Sequence, residues 1–474
     1  MVVTGAAVVV GEEVDLSVPR RVHVVGVGGA GMSAIAEILR TLGHRVTGSD
    51  LKDGPALDRL RAAEVAVAVG HDAANVGDAE FVAISTAIPA GNPEVVAARG
   101  AGIPVVRRAD VLAALCRLRR TVAVAGTHGK TTTSSMLALV LVDAGRHPSF
   151  LIGGEINEVG TGAAWDEGPD FVVEADESDG TFLHLGPVAS VVTNVEADHL
   201  DHYGNYEALV DAFTRFVRTT DGPAVVGIDG PDGARVADAA RAAGARVVTF
   251  GTNPTADVRI VDATTDADGA RGTLQRDGAD PLRIVLAVAG LHNLANATAA
   301  AVTALELGVE PTVVQRSLAR FAGVARRLQH RGFHAGITFV DDYAHLPSEA
   351  AAAVGAMRAS GWGRVVAVFQ PHRYSRIAEL GEAFGDSFVE ADLTVVTDVY
   401  AAGERPRPGV TGMRVVHGIL DRHPYQQVVY LPRRSDLVAY LAATLRPGDC
   451  CLSMGAGDVT SLPDEVQAAV RARQ

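Results

Sequence analysis

Short apolar, β-branched runs alternate with stretches in which apolar residues recur every three to four positions, and most runs break off at glycine, acidic or amide residues. Runs at 21–27, 45–48, 65–69, 81–84 and 104–106, at 121–125, 171–179, 188–195, 225–228 and 247–250, and at 337–340, 365–369, 393–396 and 449–453 predict strands. Helical spacing follows some of them, at 32–42, 132–143 and 290–307, while 259–288 reads as hairpins. Strand and helix in alternation predict an α/β protein whose ligands bind where strands end.

The run at 121–125 matters most. Gly126 to Gly129 punctuate it, and Lys130 and Thr131 open the helix that follows. That turn aims backbone N–H groups and the positive end of a helix at an anion. Lys130 adds a point charge for β/γ-phosphates and Thr131 a hydroxyl for Mg²⁺. The usual Walker spacing places a glycine at 124, where this chain has valine, so the turn is a shorter variant. Lysine occurs only at positions 52 and 130. One of the two thus falls where phosphate chemistry wants a compact ammonium.

Earlier, Gly26, Gly28 and Gly31 match the spacing of a dinucleotide fingerprint, with Asp50 ending the next strand within reach of a ribose hydroxyl or base edge. After the lysine turn, one strand ends in Glu174, Asp176, Glu177 and Asp179, and the next in Glu196, Asp198, His199, Asp201 and His202. Clustered carboxylates need a cation or hydrogen-bond donors, and Glu174 with Thr131 suits an oxygen-ligated Mg²⁺. Asn293 and Asn296 share a helix face, where they either serve an adenine edge or cap the helix. Arg326 and Arg327 stand at a junction, and His345, His372, Arg373 and Arg376 follow strand ends, where an arginine pair matches a carboxylate.

Composition narrows the classes. The chain has 474 residues, too many for one core, and a net charge of −14 that argues against a nucleic-acid surface. Cys116, Cys450 and Cys451 form no disulfide or metal pattern, which fits a reducing cytoplasm. Residues 1–20 read as a leader that is neither a signal peptide nor a membrane span.

In order, GVGGAGMS (26–33), AGTHGKTTT (125–133), EADESD (174–179), TNVEADHLD (193–201), HNLANA (292–297), DDYAHLP (341–347) and FQPHRYSR (369–376) resemble the Mur ligases over nearly the whole chain from residue 21. The resemblance implies three α/β domains: a Rossmann-like UDP-sugar domain at 21–118, a P-loop ATPase-like domain at 119–323, and a Rossmann-like amino-acid domain at 324–474. It implies that ATP phosphorylates the lactyl carboxylate of UDP-N-acetylmuramate and that the amine of L-alanine displaces the phosphate. By resemblance, Gly126, Thr127, His128, Gly129, Lys130, Thr131 and Thr132 hold the ATP phosphates, and Asn293, Asn296 and Arg326 or Arg327 the adenine side. Gly28, Gly29, Ala30, Gly31, Met32, Ser33, Asp50 and Ser85 take the UDP-sugar. Thr131, Glu174 and His199 hold Mg²⁺, with Lys130 and His199 catalytic, and Tyr343, His345, His372, Arg373 and Arg376 surround the alanine. A monomer or homodimer in the cytoplasm, without nucleic-acid or membrane partners, is expected.

The family commonly has a histidine where Leu346 stands, so that position is given no role. Related ligases that add later amino acids carry a carbamylated lysine by their metals. The lack of any lysine after Lys130 therefore points to the alanine-adding branch. A recycling ligase that attaches a whole peptide, an NAD-dependent oxidoreductase and a non-catalytic nucleotide-binding regulator are the alternatives.

Overall fold

The computed structural model describes residues 14–198, 200–266 and 268–473. The described residues form two compact units, one of those within 1–259, 276–279 and 298–317, the other of those within 260–275, 280–297 and 318–474.

The first unit opens with a five-stranded parallel sheet of β1 (Arg21–Val25), β2 (Arg45–Asp50), β3 (Ala66–Val69), β4 (Phe81–Ile84) and β5 (Val105–Arg107), in the order β3-β2-β1-β4-β5. Central β1 is covered on both faces, which is why it reads as an unbroken apolar run. Its neighbours β2 and β4 connect in opposite directions. The crevice above the end of β1 is therefore a topological switch point, and the first glycine turn lies there.

The same unit repeats the arrangement around β6 (Arg120–Ala125), which lies between parallel β9 (Asp170–Glu174) and β10 (Ala189–Val192). The hairpin β7 (Ser149–Ile156) and β8 (Thr161–Ala164) extends the sheet beyond β9, and β11 (Ala224–Gly227) and β12 (Val247–Gly251) extend it beyond β10. Residues Val122 to Ala125 are wholly buried, and the helix Lys130–Asp143 leaves the second switch point. One continuous core runs from Leu16 and Val22 through Phe171 and Phe182 to Ala240.

The division between units falls inside β13 (Val258–Asp266) and inside the helix Leu291–Glu306. In the second unit β14 (Gly269–Arg276) and β15 (Leu282–Leu286) pair antiparallel, as expected of hairpins. Its main sheet runs β16-β17-β21-β18-β19-β20, built from β16 (Gln329–His334), β17 (Ile337–Asp342), β18 (Arg364–Phe369), β19 (Leu393–Val396), β20 (Val428–Tyr430) and β21 (Asp449–Met454). All pairings are parallel except that of the edge strand β16. Cys450 and Cys451 lie buried in central β21, where burial raises both thiols, Cys450 to about 12, so they pack as small apolar residues.

Candidate active site

The first glycine turn is tied to the end of β2. The Ser49 carbonyl accepts from Gly26 N (2.8 Å) and Val27 N (2.9 Å), while Asp50 Oδ2 accepts from Gly28 N (2.9 Å). One Asp50 oxygen therefore shapes the turn. Gly26 sits at φ +73°, where a side chain is strained. The helix Ala30–Thr41 begins here with no side-chain cap and no acid in its own first turn, and Asp50 is the acid set against its start. Met32 and Ser33 are buried, Ser33 Oγ donating to the Ala30 carbonyl, and Ser85 lies in the turn after β4.

Under this turn lies a polar hub that sequence reasoning missed. Glu94 is fully buried, yet its carboxylate accepts from Ser49 Oγ (2.7 Å) and Asn75 Nδ2 (2.6 Å) and pairs with His71 Nδ1 (3.0 Å). Burial pushes its pKa up, but His23, Asn75 and Ser49 outweigh that and bring it to about 2. Its partners come from three separate segments, at 23, 49 and 71–75, so no local motif announces it.

The second turn has a firmer frame. Gly126, at φ +133°, packs so closely on the end of β10 that a Cβ there would lie 2.0 Å from Thr193 Oγ1. Asn194 clamps His128, accepting from its N–H (2.9 Å) and donating to its carbonyl (3.1 Å), and Thr127 exchanges hydrogen bonds with the Glu196 backbone. His128 Nε2 lies 3.2 Å from Glu196 Oε2. Gly129 takes the left-handed conformation at the helix start, and Thr131 and Thr132 are buried in the first turn.

Lys130 Nζ donates to the Gly126 carbonyl (2.7 Å), the Thr127 carbonyl (3.2 Å) and Glu177 Oε1 (2.9 Å). Burial alone would lower the ammonium's pKa, but Glu177, Asp176 and Glu174 raise it. Burial raises Glu177 to about 7 against the pull of Lys130. The four acids at the end of β9 thus divide their work. Glu174 accepts from Thr131 Oγ1 (3.1 Å) and Gly153 N (2.7 Å), Glu177 faces Lys130, and Asp176 and Asp179 accept from Ser178 N and Thr181 N. His199 lies outside the described residues. Among the described residues no group of three or more His, Cys, Asp or Glu side chains is arranged to hold a metal.

In the second unit, Asn293 Nδ2 donates to the Ala289 carbonyl (2.7 Å), a bond back to the residues ahead of the helix, while Asn296 is buried on the same helix. Arg326 is held at φ +62°, donating to the carbonyls of Gly455 (2.7 Å) and Gly457 (3.2 Å), and both it and Arg327 stack on Tyr343. Tyr343, His345, His372 and the unforeseen Tyr400 form a chain of rings, each centroid 5.4 to 5.9 Å from the next. Arg376 Nη1 lies 3.1 Å from His372 Nδ1. Burial, then His345, Arg376 and Arg373, lowers His372 to about 3, so the ring is neutral at physiological pH. Arg373 is strained at φ +65°, its N–H bonded to the Tyr400 carbonyl. Such strain is concentrated where structure serves a site. Leu346 is buried ahead of the helix Pro347–Ala359, and its N–H donates to Glu349.

The chain matches the Mur ligase family, catalytic domain over residues 21–120, the Mur ligase middle domain over 124–304, and the Mur ligase, glutamate ligase domain over 326–457. It is 49% identical to a UDP-N-acetylmuramate–L-alanine ligase of Kineococcus radiotolerans, over 94% of this chain and 95% of that one. It is 46% identical to the same-named enzyme of a Bradyrhizobium species, over 94% and 98%. The structure superimposes on the UDP-N-acetylmuramate-alanine ligase of Thermotoga maritima with a TM-score of 0.80 at 27% identity, covering 96% of this chain and all of that one. Among the described residues no helix is long and apolar enough to cross a membrane.

Proposed function

The chain belongs to the Mur ligase family, and on that premise we propose that it joins L-alanine to the lactyl carboxylate of UDP-N-acetylmuramate, driven by ATP, as an early cytoplasmic step of peptidoglycan synthesis. One observation carries this reading. Two glycine turns, each at a switch point of a parallel sheet, occur in one compact unit, and the second presents a lysine and a hydroxyl–carboxylate pair. A dehydrogenase would need only the first.

The lactyl carboxylate attacks the γ-phosphorus, ADP departs, and the acyl phosphate forms. The alanine amine then adds to the acyl carbon, and phosphate leaves from the tetrahedral adduct to give the amide. Gly126–Thr132 hold the ATP phosphates, through the N–H groups at the helix start from Gly129 to Thr132, those of Thr127 and His128 being given to Asn194. Lys130 exchanges the carbonyls of its own turn for β/γ-oxygens, placing charge where the transferring phosphoryl group carries it. Gly28–Ser33, Asp50 and Ser85 hold the UDP-sugar, and Asn293, Asn296 and Arg326 or Arg327 the adenine side. Arg373 and Arg376 take the alanine carboxylate, while neutral His372 beside them does not repel the alanine ammonium.

The Thr131 hydroxyl and Glu174 carboxylate, 3.1 Å apart, are the hard oxygen donors that suit Mg²⁺. These two side chains would hold one Mg²⁺ and His199 a second, and the ions would supply positive charge to the phosphate oxygens. The protein acts as a monomer or homodimer without nucleic-acid or membrane partners.

The test labels the lactyl carboxylate with ¹⁸O. One label is expected in the phosphate released for each amide formed, and unlabelled phosphate alongside amide would rule out the acyl phosphate.

A further inference from the structure

Arg108 is the first residue of the helix Arg108–Arg117, directly after β5. The third glycine of a dinucleotide fingerprint usually makes room for a strand packing against the helix. Here the neighbour of Gly31 is a guanidinium, and a Cβ on Gly31 would lie 3.0 Å from Arg108 Nη1. The other end of the fork, Nη2, lies 3.8 Å from Asp176 Oδ2. Asp176 is close enough to the second turn to feel the charge of Lys130. Arg108 therefore reaches from the first glycine turn to the acids beside the second, within one compact unit.

What it does there in the free protein is little. The separation from Asp176 is too long for a hydrogen bond. The side chains are 31% and 41% exposed, so the pair is a weak surface contact that an incoming anion displaces easily. Among the described residues Asp176 is its one ion-pair partner. Arg146 differs, holding buried Asp170 at 2.6 Å and the Leu307 carbonyl at 2.8 Å. A planar cation with free donors, laid along a glycine turn at the start of a helix, matches a diphosphate.

We infer that Arg108 is a binding residue for the sugar nucleotide, its guanidinium gripping the diphosphate at the first glycine turn and releasing Asp176 as it does so. This rests on the ligase reading for its substrate, but its decisive test needs no turnover. Binding of UDP and of UMP is measured by calorimetry on the full-length protein, its Arg108→Gln variant and its Arg108→Lys variant. The wild type is expected to prefer UDP over UMP, and Arg108→Gln to weaken UDP by about 10- to 100-fold while leaving UMP within threefold. Arg108→Lys, which keeps the charge and loses the fork, falls between. In turnover, KM for UDP-N-acetylmuramate rises by a similar factor, and KM for ATP and the thermal midpoint stay put. An unchanged UDP-to-UMP ratio in Arg108→Gln overturns the assignment, as does equal weakening of both nucleotides, the mark of a merely structural role. A wild type that binds UDP as described but forms no amide would instead refute the ligase reading and leave this one standing.

Discussion

Replacing Lys130 with methionine keeps the stem and removes the ammonium, with effects on activity and stability that separate by pH. The ammonium makes three hydrogen bonds, one of them to the buried carboxylate of Glu177. Breaking a buried pair by deleting one partner costs about 3–5 kcal/mol when the remaining charge stays ionised. Glu177, already raised to about 7, escapes part of that by taking up a proton. An acid whose folded pKa lies above its unfolded value, here 4.5, lowers stability progressively as pH climbs from the unfolded to the folded pKa, then no further. In wild type that decline ends near pH 7. Without Lys130 the folded pKa rises further, so the variant keeps losing stability above pH 7 where wild type is level. Thermal unfolding followed from pH 5 to 9 should show a gap that is small in acid and grows to about 3 kcal/mol, or roughly 3–5 °C for a unit or chain of this size, in alkali. ADP release dependent on the sugar nucleotide and alanine should fall by at least about 10³-fold at every pH. A pH-independent gap would refute the burial argument, and activity within tenfold of wild type would refute the role of the lysine.

Gly126→Ala places a Cβ against Thr193 at a φ that alanine resists, and about 3 kcal/mol of stability and nearly all protection by ATP against thermal unfolding should be lost. Glu94 has a folded pKa of about 2 against an ordinary 4.5, so its stabilisation is present above pH 4.5 and is lost as pH falls towards 2. It amounts to about 3 kcal/mol, and acid titration of Glu94→Gln should lack that segment of the wild-type curve. Glu174→Gln and, separately, His199→Ala should each raise the Mg²⁺ concentration for half-maximal activity by about tenfold or more; an unaltered metal titration removes the residue from the site.

Features carried by neighbours in sequence could be read before any coordinates. Both glycine turns, the strands preceding them and the acid-tipped β9 are local patterns, and β1 and β6 read as strands because burial on both faces leaves a continuous apolar run. The hairpin β7–β8 and edge strand β16 escaped notice. They mix glycine and polar residues, and β8 and much of β16 are only half-buried, so neither shows a clean period. The roles of acids were harder still. Of the four carboxylates at the end of β9, Glu174 meets Thr131, Glu177 meets Lys130, Asp176 serves a turn and Arg108, and Asp179 serves a turn, and nothing in their order says which does what. Glu94 and Arg108 were missed because their partners lie 19 to 71 and 68 to 77 positions away. Asn293 had two readings, adenine edge or helix cap, and its bond to the Ala289 carbonyl, in which the side chain donates, is neither.

The most direct test of the account is ADP release from ATP with UDP-N-acetylmuramate and, in turn, L-alanine, glycine, L-serine or the recycled tripeptide. Release should require the sugar nucleotide and the amino acid together, be fastest with L-alanine, and match the amide formed one for one. ADP formed without the sugar nucleotide, or faster with the peptide than with alanine, would contradict it.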